Sequence, residues 1–293
     1  MSLSIGPQGA AQAKLPLWDT ISLSYSTYFR YFPDVLRISW LWLAVAAPLT
    51  GIANWGRFSL MAGLIADMKR GIPLPTSAQL ASGTVEMTVL GSAAGLLSLF
   101  AGVSIAVAWH RHIILGEDPG FSGSNVATKD LWRYVGVGLA ICLIVMLPLL
   151  VVVGTRFLLF TPVAGGGPPG FGALILIPVI FFVFLLAFAV MLRLSPLLPA
   201  RAVGDLGLTF KETWQRTRGN TWRIFWGIAA CTILPILAAQ IVLLGFINPA
   251  MFADGFIGPM VAASTIFTVY YLLVLPIGIG FLSYSYWHFF RQA

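Results

Sequence analysis

Six long charge-poor blocks dominate the pattern of apolar and polar positions, at roughly 38–55, 87–109, 134–155, 172–192, 224–247 and 260–287. None of them alternates with a period of two. The stretch "ILIPVIFFVFLLAFAVML", residues 175–192, is apolar at every position. That is the pattern of a helix surrounded by hydrocarbon, not of a barrel strand. At ~1.5 Å per residue each block is long enough to cross ~30 Å of hydrocarbon, the first only marginally. The expectation is an all-α fold: a polytopic membrane helix bundle of six transmembrane helices in three hairpins, with interfacial amphipathic helices. Residues 1–37 form a cytoplasmic N-terminal segment with one interfacial helix, and 38–291 a single six-helix transmembrane domain.

Charge orients the bundle. Only 9% of the 293 residues are charged, whereas about a quarter is usual for a soluble domain. The chain is 58% hydrophobic, with a mean hydropathy of +0.90. Of its 17 Lys and Arg residues, 13 fall on the side of the two termini. The far side holds Arg57, Lys69, Arg70 and Arg156. Cytoplasmic loops concentrate Lys and Arg, so both termini are expected in the cytoplasm, in a multi-pass membrane protein. The net charge of +7 belongs to that bias, and nucleic acid is not expected as a partner. Residues 1–13 lack a basic segment followed by an apolar one, the mark of a secretory signal.

The densest charge lies in "TFKETWQRTRGNTWRIFWG", residues 209–227. Thr209 and Glu212 have the spacing of a capping box. The helix that follows sets Phe210, Trp214 and Thr217 against Lys211 and Arg218, as in a helix lying in the headgroup layer. Gly219 suits the residue that ends it. Asn220 then caps the fifth span, with Trp222 and Trp226 as belt residues and Arg223 reaching to phosphate. Lys211, Arg216, Arg218 and Arg223, with Arg37 and Arg133, are candidates for contact with anionic lipid headgroups. The simpler alternative is that they mark the membrane surface. Asp34–Arg37, Asp130–Arg133 and Asn220–Arg223 open the odd-numbered spans in the same way, and Pro48, Pro148 and Pro235 follow within those spans. This grammar fits a threefold hairpin repeat, with Asp34, Asp130 and Asn220 as helix caps, but insertion rules alone also produce it.

In the second span Gly91, Gly95, Ser98 and Gly102 fall at i, i+4, i+7 and i+11. Small residues in one stripe let another helix approach, so this is a candidate packing face toward a helix of this chain or of a second copy. The hydroxyls of Thr50, Ser98, Ser104, Thr232 and Thr268, with Gln240, either bond between helices or line a polar path. "RFSLMAGLIADM", residues 57–68, carries Phe58, Met61, Leu64, Ile65 and Met68 at helical spacing. It predicts a separate surface-lying helix that connects the spans or lids a pocket near Asp67, Glu86 or Arg156.

No catalytic, cofactor-binding or metal site is expected. His110 and His112 are two apart and point roughly 200° from each other on a helix. With His288 they read as histidines at helix ends. Cys142 and Cys231 read as small buried apolar residues. "AGGGPPGFG", residues 164–172, lacks the Gly-Lys-Ser/Thr ending of a phosphate loop. The spans contain no Asp, Glu, Lys or Arg, which argues against an ion-coupled carrier.

The phrase "RLSPLLPARAVGDLGLTFKETWQRTRGNTWRIFWG", residues 193–227, resembles the linker of a broad group of poorly characterised bacterial six-helix membrane proteins. Its Trp214-Gln-Arg-Thr217-Arg218-Gly219-Asn220 phrase carries the likeness, and "AWHRHIILGE", residues 108–117, resembles a second phrase in that group. The group is similar to the membrane domain of some glycerophosphodiester phosphodiesterases. The catalytic barrel of those enzymes has no room in this chain, so the resemblance implies a fold and not their activity. The expected function is that of a non-enzymatic scaffold, partner subunit or envelope-maintenance factor. The alternative is a transporter, channel or lipid-handling protein. Membrane lipids and a protein partner or second copy are the expected partners.

Overall fold

The computed structural model describes residues 14–72, 77–118, 120, 128–159, 171–246 and 257–291, and their regular structure is helical. In chain order the helices are α1 (Leu17–Arg30), α2 (Phe32–Lys69), α3 (Ser77–Leu115), α4 (Thr128–Leu159), α5 (Phe171–Leu194), α6 (Leu197–Ala202) and α7 (Phe210–Arg216). α8 (Thr221–Ile228) continues through a π turn, Ala229–Ile233, into α9 (Leu234–Phe246). α10 (Gly258–Tyr286) ends in a second π turn, Trp287–Arg291. Six helical stretches are long and apolar enough to cross a membrane, and each overlaps one of the six blocks of the sequence.

α10 runs through the middle of the bundle against α1, α2, α3 and α9. Its Leu272 and Phe281 are fully buried, in one cluster with Ile38 of α2, Ile105 and Trp109 of α3, and Ile224 of α8. α4 and α5 form a smaller cluster of their own around Ile141, Val145, Ala187 and Leu194. Leu96, Phe182 and Ile241 face outward, exposed. In water such a surface would aggregate, whereas lipid tails solvate it at no cost. The closest helix approaches occur where a side chain is missing. A Cβ at Gly227 would overlap the Phe281 ring, and one at Gly278 the Thr232 hydroxyl.

The surface-lying helix expected at 57–68 does not exist as a separate element. α2 runs unbroken for 38 residues, ~57 Å at ~1.5 Å per residue and nearly twice the ~30 Å hydrocarbon thickness. α3, at 39 residues, runs beside it. Their packing continues where the chain was expected to turn aside. A Cβ at Gly56 would overlap Met87, and one at Gly91 would overlap the Arg57 guanidinium. Phe58, Leu64 and Ile65 are half-buried along this extension.

α1 is amphipathic, as expected of the N-terminal segment, but it docks into the bundle. Thr20, Ser24, Thr27 and Tyr28 are buried. Just before it, the Leu15 backbone N–H donates to Asn220 Oδ1 at 2.9 Å, and Arg223 Nη1 donates back to the Leu15 carbonyl at 2.6 Å. The Tyr25 hydroxyl donates to the Ala230 carbonyl at 2.8 Å. That carbonyl lies in the first π turn, where widened geometry leaves backbone groups free. Pro235 helps to cause the turn: lacking an N–H, it cannot close the α-helical bond to the Cys231 carbonyl.

The capping scheme expected for the odd-numbered spans is also corrected. Tyr31, not Asp34, is the N-cap of α2, and it makes no side-chain cap bond. Asp130 is the third residue of α4, and its carboxylate binds two arginines. Asn220 is the N-cap of α8, but its side chain caps nothing there; its oxygen serves Leu15 instead. Thr209 does cap α7, accepting from the Glu212 N–H at 3.2 Å. Gly219 adopts φ +78°, where a side chain would be strained.

Candidate functional site

One end of the bundle gathers the starts of α2, α4 and α8 and the ends of α3, α5 and α10. This terminal face holds four of the six candidate headgroup cations in bonds to the protein. Arg37 pairs with Asp118 at 3.1 Å, in the open. Arg133 pairs with Asp130 at 3.1 Å. Arg216 pairs with Glu212 at 2.9 Å and donates to the Phe289 carbonyl at 3.2 Å. Arg223 holds Leu15. Lys211 and Arg218 are exposed and make no ion pair or hydrogen bond to the described residues.

The centre of this face is a charge cluster that the sequence reading missed. Arg111 Nη1 donates to Asp130 Oδ2 at 3.0 Å and to the Ala202 carbonyl at 3.2 Å. Its Nε and Nη2 bind Glu117 at 2.7 and 2.8 Å. Arg111 thereby ties α3 to α4 and α6 with most of its donor fork satisfied, the condition under which a half-buried guanidinium is stable. Asp118 sits at the edge. The Gly120 backbone N–H donating to it at 2.9 Å, with Arg37 beside it, holds its carboxyl below the usual aspartate value.

Two cavities lie along α3. The larger, about 490 Å³, is walled by Gly95, Ser98, Gly102 and Ala106 of α3, Tyr134 of α4, Ile228 and Thr232 of the α8–π segment, and Tyr271, Leu275 and Gly278 of α10. This volume falls within the ~300–1,000 Å³ typical of small-molecule sites. It exists because bulk is absent. A Cβ at Gly95 would meet nothing within 4 Å, and one at Gly102 only Leu275, at 3.6 Å. Of the stripe read as a packing face, Gly91 lies against Arg57, and Gly95, Ser98 and Gly102 line this hollow. Toward the α2–α3 turn a second cavity of about 280 Å³ follows. Its walls are polar: Thr50, Asn54 and Arg57 of α2, Ser98 of α3 and Thr268 of α10. Gly95 and Ser98 belong to both cavities. Ser98 and Thr268 donate their hydroxyl protons within their own helices, to Ala94 and Ser264. Among the described residues no carboxylate lies within ion-pair distance of Arg57. Ser104 is buried away from both cavities, and Gln240 lines neither.

His110 is buried, with Nδ1 2.7 Å from Ser283 Oγ. Because Ser283 Oγ donates to the Ile279 carbonyl at 3.0 Å, the histidine Nδ1 is the donor to it. His112 faces the Glu117 carbonyl at 3.0 Å, and the His288 ring lies edge-on to Phe289. Among the described residues no three His, Cys, Asp or Glu side chains converge on a metal position. Cys231 is buried and Cys142 exposed, and both are free thiols. Asp67 is 3.9 Å from Arg70 and lines neither cavity. The Glu86 and Arg156 side chains and residues 164–170 lie outside the described residues.

Six apolar helical stretches, five of them around a central α10, with an outer surface made of lipid-compatible side chains, define a multi-pass integral membrane protein with a helix-bundle fold. Compared with known protein families, with curated proteins and with solved structures, the chain finds no match.

Proposed function

We propose that this protein is a non-enzymatic membrane component that takes an acyl chain of a membrane lipid into the hollow along α3. The observation that carries this reading is the 490 Å³ cavity walled by Gly95, Ser98 and Gly102. Each of these residues contributes space, and none contributes a reactive group. The π turn beside the cavity supports it, since such turns recur where a helix serves a ligand. The bias of Lys and Arg supports cytoplasmic termini, and the resemblance of residues 193–227 to bacterial six-helix membrane proteins supports a bacterial inner membrane. On that placement the polar cavity around Arg57 opens toward the outer leaflet.

The test is photolabelling in neutral phosphatidylcholine bilayers with a phosphatidylcholine carrying a diazirine on one chain. Adducts are expected on Gly95–Ala106 of α3 and Tyr271–Leu282 of α10. Gly95→Leu, which projects into open space, removes them. Adducts spread evenly over all outward helix faces and unchanged by Gly95→Leu refute the reading.

A second reading, a scaffold or partner subunit, is favoured by the α2–α3 hairpin. Its ~57 Å length reaches beyond a ~30 Å hydrocarbon layer, and Met61, Met68 and Val85 are exposed along it. Co-purification from native membranes, with and without residues 60–84, tests it.

A further inference from the structure

The two cavities share a wall at Gly95 and Ser98, and they differ in chemistry. One is apolar; the other is rimmed by a cation, an amide and hydroxyls. Together they form one crevice along α3 from Gly91 to Ala106, about 22 Å at ~1.5 Å per residue. Its polar end lies level with Arg57, twenty residues along α2 from the terminal-face Arg37. That distance is ~30 Å, the thickness of the hydrocarbon. The crevice therefore begins at one headgroup plane and extends past the bilayer midplane.

A cation at this depth attracts an anion, and among the described residues no carboxylate pairs with it. Arg57 lies over Gly91, where a Cβ would displace its guanidinium. Thr50, Asn54 and Thr268 add hydroxyl and amide groups around the same space. A planar five-donor fork ringed by neutral polar groups matches a phosphate. From that phosphate position the space continues past Gly95 and Ser98 into the apolar hollow.

We propose that the crevice is a binding site for an anionic phospholipid of the leaflet away from the termini. The phosphate is held by Arg57, and one acyl chain runs past Gly95 and Ser98 into the cavity beside Tyr134 and Thr232. This assignment rests on the acyl-chain reading above and adds the headgroup to it. The headgroup and its chain are recognised together, so a water-soluble phosphate with no chain competes poorly.

The experiment uses the full chain in bilayers doped with diazirine-bearing phosphatidylglycerol or phosphatidylcholine of identical chains. Adducts on Gly95–Ala106 and Tyr271–Leu282 are quantified by peptide mapping. Phosphatidylglycerol is expected to label these walls about fivefold more than phosphatidylcholine, the ratio that one cation near the surface supplies. Arg57→Gln brings the two to equality without abolishing labelling, and Arg57→Lys restores part of the preference. Millimolar glycerol phosphate leaves labelling unchanged. A headgroup preference unaltered in Arg57→Gln, with labelling still lost in Gly95→Leu, overturns the phosphate assignment and leaves the acyl-chain reading standing. Displacement by glycerol phosphate also overturns the proposal, by showing a site for a free anion. Wall labelling that Gly95→Leu does not reduce overturns the acyl-chain reading itself.

Discussion

Replacing Asp130 with asparagine tests whether the terminal face is held by its buried charge cluster. The Asp130 side chain is 7% exposed and the Arg111 side chain 17%. One carboxylate oxygen accepts from Arg111 at 3.0 Å and the other from Arg133 at 3.1 Å. Asparagine keeps the shape but offers only one acceptor, and its NH₂ group faces a guanidinium that also donates. Breaking a buried ion pair by removing one partner costs ~3–5 kcal/mol. Arg111 keeps both bonds to Glu117, which brings the expected loss down to about 2–3 kcal/mol, one hydrogen bond to a charged group plus a donor conflict. For a protein of this size that lowers the melting temperature by roughly 5–10 °C. The measurement is thermal denaturation of the purified protein in one detergent, with Asp118→Asn as the control. Asp118 and Arg37 form an ion pair of the same length in the open, with side chains 64% and 44% exposed. Exposed pairs contribute little, so that variant should melt with the wild type. If the two variants melt together, the cluster does not hold α3 to α4, and the stability of this face comes from apolar packing alone.

Gly227→Ala should destabilise by about 1–3 kcal/mol through overlap with the buried Phe281 ring, whereas Gly245→Ala, facing open space, should not; the same melting assay separates them. Replacing Lys211 and Arg218 together with Gln should reduce anionic lipid retained through purification, by about 1 kcal/mol per cation, while Arg216→Gln, whose charge is already paired within α7, should change retention less. In a Cys142→Ala, Cys231→Ala background, a cysteine at position 70 should react with an impermeant reagent added outside cells and one at position 211 should not; the reverse pattern would overturn the cytoplasmic placement of the termini. The Asp118 carboxyl is held below its unfolded value of 3.8, so its contribution is complete above that pH and is lost as pH falls through the lower folded value. The protection of the Gly120 amide against exchange, taken relative to an unstructured chain at the same pH, should therefore fall only under those acidic conditions.

The spans were legible because lipid imposes one rule on every outward position, and hydropathy reads that rule without knowing any neighbour. The end of α2 was not. Arg57, Asp67 and Lys69 look like a return to the interface, and only Gly56 against Met87 and Gly91 against Arg57 show why the helix continues. Those are pairwise facts between segments some thirty residues apart. The stripe Gly91, Gly95, Ser98 and Gly102 was visible as a pattern, but a missing side chain is equally consistent with a close helix and with a hollow. Which of the two occurs depends on what α10 and the π turn place opposite. Asn220 was misread for a related reason. Its position before α8 is that of a cap, and its oxygen was claimed by a backbone amide far away in the chain.

That last bond sets an order of events during synthesis. Leu15 and Asn220 are 205 residues apart, and a ribosome adds ~5–20 residues per second. For roughly 10–40 s after Leu15 emerges, neither Asn220 nor Arg223 exists to receive it. The Ala230 carbonyl awaited by Tyr25 is made later still. During that interval α1 has no bundle to enter, and its amphipathic face is suited to wait on the membrane surface while four spans insert beyond it. The seating of α1 is thus a late step in assembly, and it closes only once the fifth span is in place. A chain stalled before Asn220 would carry an unseated first helix, a natural feature by which quality-control proteases could distinguish an unfinished protein from a finished one.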